Sequence, residues 1–485
     1  MNFIEDVLER FPAARPALLA IDADGRGSVW GFGELIARSA GLAGALQARG
    51  VGRGDVVMTL IGNRPEWVLS MLACFRIGAV ALPCSTQLRS GDLGHRVEVA
   101  RPVIAIGESA LLAELPEGVP SLDLDDLTRI LDEESPQEAP AYPVDLDPGD
   151  PALIIFTSGT TGVARGAVHS QSYLMAQRLQ AEHWLGARRG ELCWCTAAPG
   201  WSKSARNSFI APWLCGATAL IHDGRFDPDE RLEICEREGV NVLCQAPTEY
   251  RVLAKRSELR PLPAMRRLAS AGEPLNPEVI RAFREGTGLA IHDGYGQTET
   301  GALTGSLEGA VVRDGSMGLP LPGIELRIDG GELLLQPDSC PTFFSHYVGA
   351  EPFTEAWWRT GDMVSADADG YLWFEGRSDD VIISSGYRIG PFEVESALVS
   401  HPAVAEAAAV AEPDDERGSI VRAVVVLRSG VPGPALAVEL QDHVKSETAP
   451  YKYPRIVEFA DELPKTASGK IRRAELRSDA GAEPA

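Results

Sequence analysis

Short apolar runs alternate along most of the chain with stretches whose apolar residues recur every three to four positions. The first pattern is typical of buried strands, and the second is typical of helices that bury one face. One apolar run, LIIF at residues 153–156, ends at the polar segment TSGTTGVARG of residues 157–166, and the AVHS that follows Gly166 has strand character again. The alternation of the two patterns predicts an α/β fold.

One helix is predicted from its end signals, directly after the segment SAGEPL of residues 270–275. Asn276 can serve as the N-cap, and Pro277 suits the first turn because no helical partner exists there for an N–H group. Residues 278–283 carry helical periodicity, and Gly286 is expected to stop the helix. A strand, a turn and a helix are therefore expected in succession.

Two breaks in the pattern bear on domain organisation. Residues 131–150 are rich in Pro, Asp and Glu, which fits either a domain boundary or a long surface connection. Beyond GRSDD at residues 376–380, about a hundred residues offer helix, strand, strand and helix patterns, enough for a small α+β domain. We therefore expect an N-terminal domain of residues 1–377 and a C-terminal domain of residues 378–485, with a frayed tail from Ser478.

Composition narrows the class of protein. Of the 485 residues, 45% are hydrophobic and 24% are charged, as in an ordinary globular protein. The formal net charge of −24 argues against a general nucleic-acid binder, although it leaves room for a small basic pocket that binds an anion.

Cysteine usage and the N-terminus bear on location. The eight cysteines form no CxxC pair, which argues against a zinc ribbon or a disulfide scaffold and fits a reducing cytosol. Glu5 and Asp6 stand where a signal peptide needs positive charge, and no apolar stretch reaches the roughly 18 residues of a membrane span. We expect a cytoplasmic protein without a membrane span.

The segment TSGTTGVARG combines three glycines with four hydroxyl residues and one arginine. Glycines let the backbone approach a ligand closely, and hydroxyls and free amides donate hydrogen bonds, so the composition suits a phosphate-binding loop. The segment lacks the Lys-Ser/Thr ending of a Walker A loop, and the chain has neither GxGxxG behind a strand nor GxSxG. From these residues alone, another phosphate cradle and an ordinary surface turn both remain open.

Five further segments join turn residues to charged ones, namely HDGYGQTETG (292–301), WRTGD (358–362), GRSDD (376–380), SSGYRIGP (384–391) and PKTASGK (464–470). Together with TSGTTGVARG and AGEPL, and in this order, they resemble the signature motifs of the acyl-adenylate-forming superfamily. That superfamily includes acyl-CoA synthetases, peptide-synthetase adenylation domains and firefly luciferases. GWSKSARNSFIAPWLCGAT and HVKSETAPYKYPR narrow the likeness to medium-chain and aromatic acyl-CoA synthetases.

The resemblance implies a fold and a reaction. The fold would be α/β, with a large N-terminal domain of layered α/β subdomains and a small mobile α+β C-terminal domain. The reaction would use ATP and Mg²⁺ to convert a carboxylic acid into an acyl-AMP, and would then transfer the acyl group to coenzyme A. The expected partners are a small-molecule acid, ATP and CoA, without nucleic acid or membrane, and a homodimer is left open.

By the same resemblance, Thr298 would touch the α-phosphate and Glu299 would hold Mg²⁺ through a carboxylate oxygen. Asp362 would accept hydrogen bonds from both ribose hydroxyls, with Arg377 beside it. Arg165 stands near the end of the phosphate loop, where the family usually has Pro-Lys before the last glycine. The remaining contacts to adenine and phosphates would come from Tyr295, Gly272, Glu273, Pro274, Thr157, Ser158, Gly159, Thr160 and Thr161.

The resemblance also implies that the C-terminal domain serves both half-reactions. Lys470 would reach the α-phosphate and the substrate carboxylate during adenylation, and a protein acetyltransferase that removed its charge would switch this step off. The domain would then rotate about a hinge at Asp379. After rotation, CoA would meet the residues Ser384, Ser385, Gly386, Tyr387 and Arg388.

The sequence departs from the family pattern at two places, and it does not fix the acyl substrate. Arg165 keeps the charge of the usual lysine, so altered nucleotide affinity is expected rather than lost activity. Residues 331–362 look shorter than in close relatives. Trp201, Ser202 and Lys203 lie where the acyl pocket is expected and suit a short branched, medium-chain or aromatic acid, although Lys203 has the alternative of an exposed helix lysine. The alternatives to an acid:CoA ligase are a ligase that loads a carrier-protein phosphopantetheine and an inactive, ligand-binding member.

Overall fold

The structure is a computed structural model that describes residues 1–132, 139–157, 164–385, 387–414, 416–465 and 471–478. The site predictions that lie outside the described residues are Ser158, Gly159, Thr160, Thr161, Gly386, Lys470 and the side chain of Arg388.

The strands up to residue 377 are, in chain order, β1 (Pro16–Ile21), β2 (Gly27–Gly31), β3 (Val56–Leu60), β4 (Val80–Pro83), β5 (Ile104–Gly107), β6 (Ser121–Asp123), β7 (Pro151–Thr157), β8 (Arg165–Ser170), β9 (Leu192–Cys195), β10 (Thr218–His222), β11 (Val242–Gln245), β12 (Arg267–Ala271), β13 (Ile291–Gln297), β14 (Gly301–Gly305), β15 (Leu319–Pro320), β16 (Leu326–Asp329), β17 (Glu332–Leu335), β18 (His346–Tyr347), β19 (Trp358–Ala366) and β20 (Leu372–Arg377).

The α-helices of the same region are α1 (Phe3–Asp6), α2 (Phe32–Ala48), α3 (Pro65–Ile77), α4 (Ser90–Ala100), α5 (Ser109–Leu112), α6 (Leu124–Asp132), α7 (Gln171–Gln180), α8 (Lys203–Ala205), α9 (Ala211–Leu214), α10 (Pro228–Glu238), α11 (Pro247–Arg256) and α12 (Pro277–Thr287). Two short π-helical segments, Ala181–Leu185 and Arg206–Ile210, directly follow α7 and α8.

Three sheets organise this region. A seven-stranded sheet has the order β18, β8, β7, β4, β3, β5, β6, and a nine-stranded sheet has the order β15, β14, β13, β12, β11, β9, β10, β1, β2. Both are parallel in their middle, and strands β16, β17, β19 and β20 form a separate antiparallel sheet. The predicted α/β class and the strands on both sides of TSGTTGVARG are confirmed.

A layer of helices separates the two large sheets. One core cluster runs from Ile155 in β7 through Trp67, Tyr173 and Trp213 of α3, α7 and α9 to Ala219 in β10. Every residue of α3 from Trp67 onward is buried, because its mostly apolar side chains point to all sides of the helix and pack against neighbours there. The layered arrangement that the resemblance implied is therefore present.

The region beyond residue 377 has smaller sheets of its own. Its elements are β21 (Ile382–Ser384), β22 (Tyr387–Ile389), α13 (Pro391–Ser400), β23 (Val404–Asp414), β24 (Gly418–Leu427), α14 (Pro434–Glu447), β25 (Ile456–Ala460) and α15 (Arg473–Ser478). Helices α13 and α14 pack with β23 and β24 around one core cluster. The predicted order of helix, two strands and helix is confirmed, and the boundary at residue 377 stays a prediction.

The predicted end of helix α12 is wrong by two residues. The helix passes through Gly286 and ends at Thr287, and Gly288 caps it in the left-handed region at φ 79°. Pro277 lies in the first turn as expected. Asn276 has the N-cap position but makes no side-chain cap, because its amide instead contacts Arg251 and Ser396.

The described part of residues 131–150 is a surface connection within one sheet rather than a domain boundary. It joins β6 to β7, which belong to the same seven-stranded sheet. Its backbone bonds to the N-terminal region through Ala141, Val144 and Leu146, whose amides donate to carbonyls of Ala40, Arg76 and Met1.

All eight cysteines are free thiols, and seven of them are buried. Among the described residues, no helix combines the length and the apolar character that a membrane crossing requires.

Helix α2 offers a matched pair of glycines that tests the packing of this connection. A Cβ added at Gly41 meets no heavy atom within 4 Å, whereas one added at Gly44 overlaps the carbonyl oxygen of Ala139. We expect Gly41→Ala to raise the free energy of unfolding by about 0.5–1 kcal/mol, since alanine favours helix. Gly44→Ala should lower it by about 1–3 kcal/mol through overpacking. Denaturant unfolding of both variants checks this, and equal shifts would contradict it.

Candidate active site

The carboxyl ends of parallel strands meet at one edge of the nine-stranded sheet, the usual place for a ligand in open α/β sheets. Strands β9, β11, β12 and β13 are parallel neighbours there. Gly272 follows the end of β12 with φ 105°, in the left-handed region that favours glycine. The predicted turn of Gly272, Glu273 and Pro274 therefore lies at this edge.

Glu273 is tied to helix α11. Its carboxylate forms an ion pair of 2.8 Å with Arg251 and accepts hydrogen bonds from the hydroxyl of Thr248. Arg251 also donates to the carbonyl of Pro274 and to Asn276. These contacts with helix α11 fix the shape of the turn of Gly272, Glu273 and Pro274.

Asp362 is the centre of a buried polar network. Its Oδ2 accepts hydrogen bonds from the hydroxyl of Tyr295 at 2.5 Å and from Nε2 of Gln297 at 2.8 Å. Its Oδ1 accepts from Nη1 of Arg377 at 3.0 Å, because residues 362 and 377 are direct partners in strands β19 and β20. Three predicted site residues, Tyr295, Asp362 and Arg377, are thus brought together.

Burial dominates the electrostatics of this network. The Asp362 side chain is 6% exposed, and loss of solvation raises its pKa above the usual value for aspartate. Arg377 and the two hydrogen bonds from Tyr295 and Gln297 act against that rise. A carboxylate at this position is therefore costly unless its donors stay in place.

Glu299 lies beside the end of the predicted phosphate loop. Its Oε1 accepts a hydrogen bond of 2.6 Å from the hydroxyl of Tyr347, and this hydroxyl accepts one of 3.1 Å from Nη2 of Arg165. The guanidinium of Arg165 also lies 3.9 Å from the centre of the Tyr347 ring. Tyr347 therefore bridges two predicted site residues, Glu299 and Arg165. Thr298, which directly precedes Glu299, belongs to the same turn as Glu299.

Thr157 and Arg165 are direct partners in the antiparallel strands β7 and β8. The segment TSGTTGVARG consequently leaves and re-enters the seven-stranded sheet at one point. The hydroxyl of Thr157 is buried and has no hydrogen-bond partner among the described residues. A free donor at the start of the loop is what a phosphate cradle requires.

The predicted acyl segment follows β9. Lys203 is half-buried rather than exposed, and its Nζ donates to the carbonyl of Ala271 at 2.8 Å, next to Gly272. The hydroxyl of Ser202 is buried without a partner in the described part of the chain, and Trp201 is half-buried. The segment thus reaches the turn that is expected at the nucleotide.

Asp293 is a buried acid near the same turn. Burial raises its pKa well above the usual range, and the positive charge of Lys203 acts in the opposite direction. Its Oδ1 has no hydrogen-bond partner among the described residues. Burial therefore favours the protonated form of this side chain.

The predicted hinge residue, Asp379, contacts an arginine that precedes it in the chain and an arginine of helix α15. Asp379 lies 3.8 Å from Nε of Arg377, and its carbonyl accepts from Arg477 of α15. The neighbouring Asp380 pairs with Arg477 at 2.9 Å and with Arg473 at 3.6 Å. Arg377 therefore connects the Asp362 network directly to the start of the C-terminal region.

The predicted CoA-binding segment forms the hairpin of β21 and β22. Ser384 is buried at the end of β21, and Ser385 turns the chain with φ 49°. The Ser385 hydroxyl accepts from Arg417 at 3.3 Å, and the exposed ring of Tyr387 stacks on Tyr451 at 4.3 Å. The hairpin thus presents an aromatic surface to solvent.

Family models match most of the chain. The model described as AMP-binding enzyme matches residues 4–341, and that described as AMP-binding enzyme C-terminal domain matches residues 393–470. The chain belongs to the family of AMP-binding enzymes. The resemblance stated from the motifs is thereby confirmed.

Relatives and solved structures of this family agree over nearly the full length. The acyl-CoA ligase YtcI of Bacillus subtilis is 39% identical, over 97% of this chain and 94% of that protein. The mitochondrial acyl-coenzyme A synthetase ACSM3 of Mus musculus is 37% identical, over 98% of this chain and 90% of that protein. The anthranilate CoA ligase AuaEII in complex with anthranoyl-AMP superposes with a TM-score of 0.87 at 30% identity, over 99% and 97% of the two chains.

Two residues of this AMP-binding enzyme site were missed by sequence reasoning. Gln297 lies inside the motif GYGQTETG but was assigned no role, although its amide bonds to Asp362 and to the carbonyl of Thr360. Tyr347 stands in the segment that looked shortened, 182 residues from Arg165. Only strand β18, which pairs with β8, brings Tyr347 to the loop.

We expect Tyr347→Phe to raise KM for MgATP by about 10-fold, since it removes a hydrogen bond to each of two charged groups. Steady-state kinetics at saturating acid and CoA measure this. Tyr371→Phe is the matched control, because a guanidinium also lies over the Tyr371 ring while its hydroxyl donates to the carbonyl of Val311. Equal KM values for the two variants would remove Tyr347 from the nucleotide site.

Proposed function

We propose that this AMP-forming acid:CoA ligase acts on a medium-chain, branched or aromatic carboxylic acid. The ligase activity rests on one observation, which is that curated acyl-CoA synthetases align with 97 or 98% of the chain. The acid class is supported by the solved neighbours, among them an anthranilate CoA ligase and a benzoate CoA ligase from Burkholderia xenovorans. Trp201 in the predicted acyl segment is consistent with such acids.

The chemistry requires activation of a poor electrophile. A carboxylate repels a thiol and has no leaving group, whereas an acyl-AMP anhydride releases AMP. The protein must therefore hold carboxylate and α-phosphate together against their repulsion. In our proposal Asp362 accepts the ribose hydroxyls, and Tyr295, whose hydroxyl is bound to Asp362, offers its ring to adenine. Gly272, Glu273 and Pro274 would lie on the other side of the base.

The phosphates would be bound at the hairpin of β7 and β8. Thr157 offers its unpaired hydroxyl, and Arg165 offers a charged fork beside Glu299. Thr298 would contact the α-phosphate. Ser158, Gly159, Thr160 and Thr161 complete the proposed loop by resemblance and lie outside the described residues.

Glu299 fits the proposed Mg²⁺ site. The described residues contain no group of three or more His, Cys, Asp or Glu that would hold a metal ion alone. Mg²⁺ is usually bound by one or two carboxylates together with substrate phosphates, so a single buried glutamate beside the phosphate loop suits it. The ion would neutralise charge on the triphosphate.

The C-terminal region would supply both half-reactions in turn. Lys470 would neutralise the carboxylate and α-phosphate in the first step. The hairpin of Ser384, Ser385, Gly386, Tyr387 and Arg388 would contact CoA in the second, after rotation about Asp379. Acetylation of Lys470 by a protein acetyltransferase, a homodimer and a cytoplasmic location belong to the proposal as further expectations.

Lys470→Ala should slow acyl-AMP formation by about 10²–10³-fold, the usual loss for a charge placed at a developing anion. Thioester formation from supplied acyl-AMP should be largely spared. Pyrophosphate exchange and single-turnover thioester assays measure the two steps separately. Lys465→Ala is the matched control from the same motif, because Lys465 pairs with Glu406 at 2.6 Å. Equal losses in both steps would contradict the assignment.

Asp379→Pro should affect the two half-reactions in the opposite way to Lys470→Ala. Proline fixes its own φ and restricts the residue before it, so rotation at this point becomes difficult while one orientation is retained. We expect adenylation to continue and thioester formation to stop. Asp379→Ala keeps a rotatable backbone and serves as the control, and an unaffected second step in the proline variant would exclude Asp379 as the hinge.

The ligase activity is tested by AMP release from ATP and Mg²⁺ across a panel of acids. The panel runs from acetate to dodecanoate and includes branched acids and benzoates, each with and without CoA. CoA-dependent AMP release with one group of acids is the expected result. Pyrophosphate exchange without CoA turnover would favour a carrier-protein acceptor. The absence of AMP release and of pyrophosphate exchange with every acid would favour an inactive ligand-binding member.

A further inference from the structure

Arg206 is a buried cation whose charge is not balanced by the described residues. It is 6% exposed, and its Nε and Nη1 have no hydrogen-bond partner within the described ranges. No Asp or Glu of the described chain forms an ion pair with it at 4.0 Å or less. A buried charge without a partner is costly, so a compensating group from outside the protein is expected.

The position of Arg206 relates it to the acyl segment. It follows Lys203 by three residues, which places both on one side of the helical segment about one turn apart. Lys203 contacts Ala271 next to the predicted nucleotide turn. Arg206 begins the π-helical segment Arg206–Ile210, and such segments are frequent at functional sites.

The guanidinium also reaches the motif GYGQTETG. Its Nη1 lies 3.5 Å from the point where a Cβ on Gly301 would stand. Gly301 follows Glu299 by two residues, so the Arg206 guanidinium lies next to the segment GYGQTETG, which carries the proposed catalytic groups Thr298 and Glu299. Arg206 therefore lies between the predicted acyl segment and that loop.

The surroundings of Arg206 are polar but supply no negative charge. His169 is fully buried with both ring nitrogens unpaired in the described chain, and burial together with Arg206 lowers its pKa to about 3. It is therefore neutral at physiological pH. Tyr173 packs on His169 at 4.1 Å, and burial raises its pKa, so its hydroxyl stays protonated. The amide of Gln180 is bound to Asn207 at 2.9 Å.

We propose that Arg206 binds a second carboxylate at the far end of the acyl substrate, so that the preferred acid is dicarboxylic. The inference rests on the proposed ligase function and narrows its substrate class. Arginine is suited to the role, because its planar fork makes two parallel hydrogen bonds to a carboxylate. A simple fatty acid would leave the guanidinium buried without a negatively charged partner among the described residues.

Matched acids test the proposal. We would compare kcat/KM for adipate with hexanoate, suberate with octanoate, and terephthalate with benzoate, at saturating ATP and CoA. The wild-type enzyme should prefer one dicarboxylate over its partner by about 10–100-fold, the range of a charge-assisted hydrogen bond to a buried group. Arg206→Met should reduce this ratio to about one or below, while Arg206→Lys should retain part of it.

Three results would overturn the proposal. One is a wild-type preference for monocarboxylates that Arg206→Met leaves unchanged. Another is a loss that is equal for both members of every pair. The third is a rise in KM for ATP at an unchanged ratio, which would assign Arg206 to the nucleotide. If the enzyme turns over monocarboxylates but no dicarboxylate, the dicarboxylate inference is wrong and the ligase function stands. If no acid supports turnover, the ligase function is contradicted as well.

If Arg206→Met does not fold, the proposal can be tested by the binding of acids to the wild-type protein. The melting temperature of the wild-type protein is recorded with a non-hydrolysable ATP analogue and each acid in turn. Stabilisation by adipate, suberate or terephthalate well beyond that by the matched monocarboxylate supports the proposal. Equal stabilisation by both members of each pair contradicts it.

Discussion

A buried carboxylate, Asp362, connects the sheets that meet at the candidate active site. Donors from two strands converge on it, namely Tyr295 and Gln297 of β13 and Arg377 of β20. Because burial makes the charged form costly, these donors must keep their positions for the carboxylate to exist. The same contacts place the Tyr295 ring at the edge of the nine-stranded sheet. They also fix Arg377, which lies two residues before the proposed hinge. Arg377 thereby connects the proposed nucleotide site to the start of the C-terminal region.

The acyl side of the site is built differently. There, Lys203 contacts a backbone carbonyl, Asp293 is a buried acid whose pKa is raised, and Arg206 is a cation without a described carboxylate partner. A buried group that is left unsatisfied, as at Asp293 and Arg206, requires an explanation, and a ligand that completes it is one. The contrast between the fully bonded Asp362 carboxylate and the incompletely bonded side chains of Asp293 and Arg206 is consistent with one fixed co-substrate and one that differs among relatives.

Much of the fold and part of the site were predictable from the sequence. The strands on both sides of TSGTTGVARG, the helix from Pro277 and the order of elements beyond residue 380 follow from periodicity and end signals. The closeness of Asp362 and Arg377 follows from ordered motifs. Contacts made only by tertiary pairing were not predictable, because Tyr347 meets Arg165 across 182 residues. The end of α12 was misjudged since Gly286 and Gly288 are equally plausible stops, and only the backbone angle at Gly288 distinguishes them.

The central claim is that the Asp362 carboxylate binds the nucleotide, and its most direct test is ATP affinity as a function of pH. Because the pKa of Asp362 is raised, its protonated form should accumulate at a higher pH than for an ordinary aspartate. Wild-type affinity should therefore fall as pH decreases through that raised pKa. Asp362→Asn should bind ATP weakly at every pH and lose this dependence, whereas Asp314→Asn, which changes an acid paired with Arg284, should follow the wild type. Wild-type affinity and pH dependence in Asp362→Asn would contradict the account.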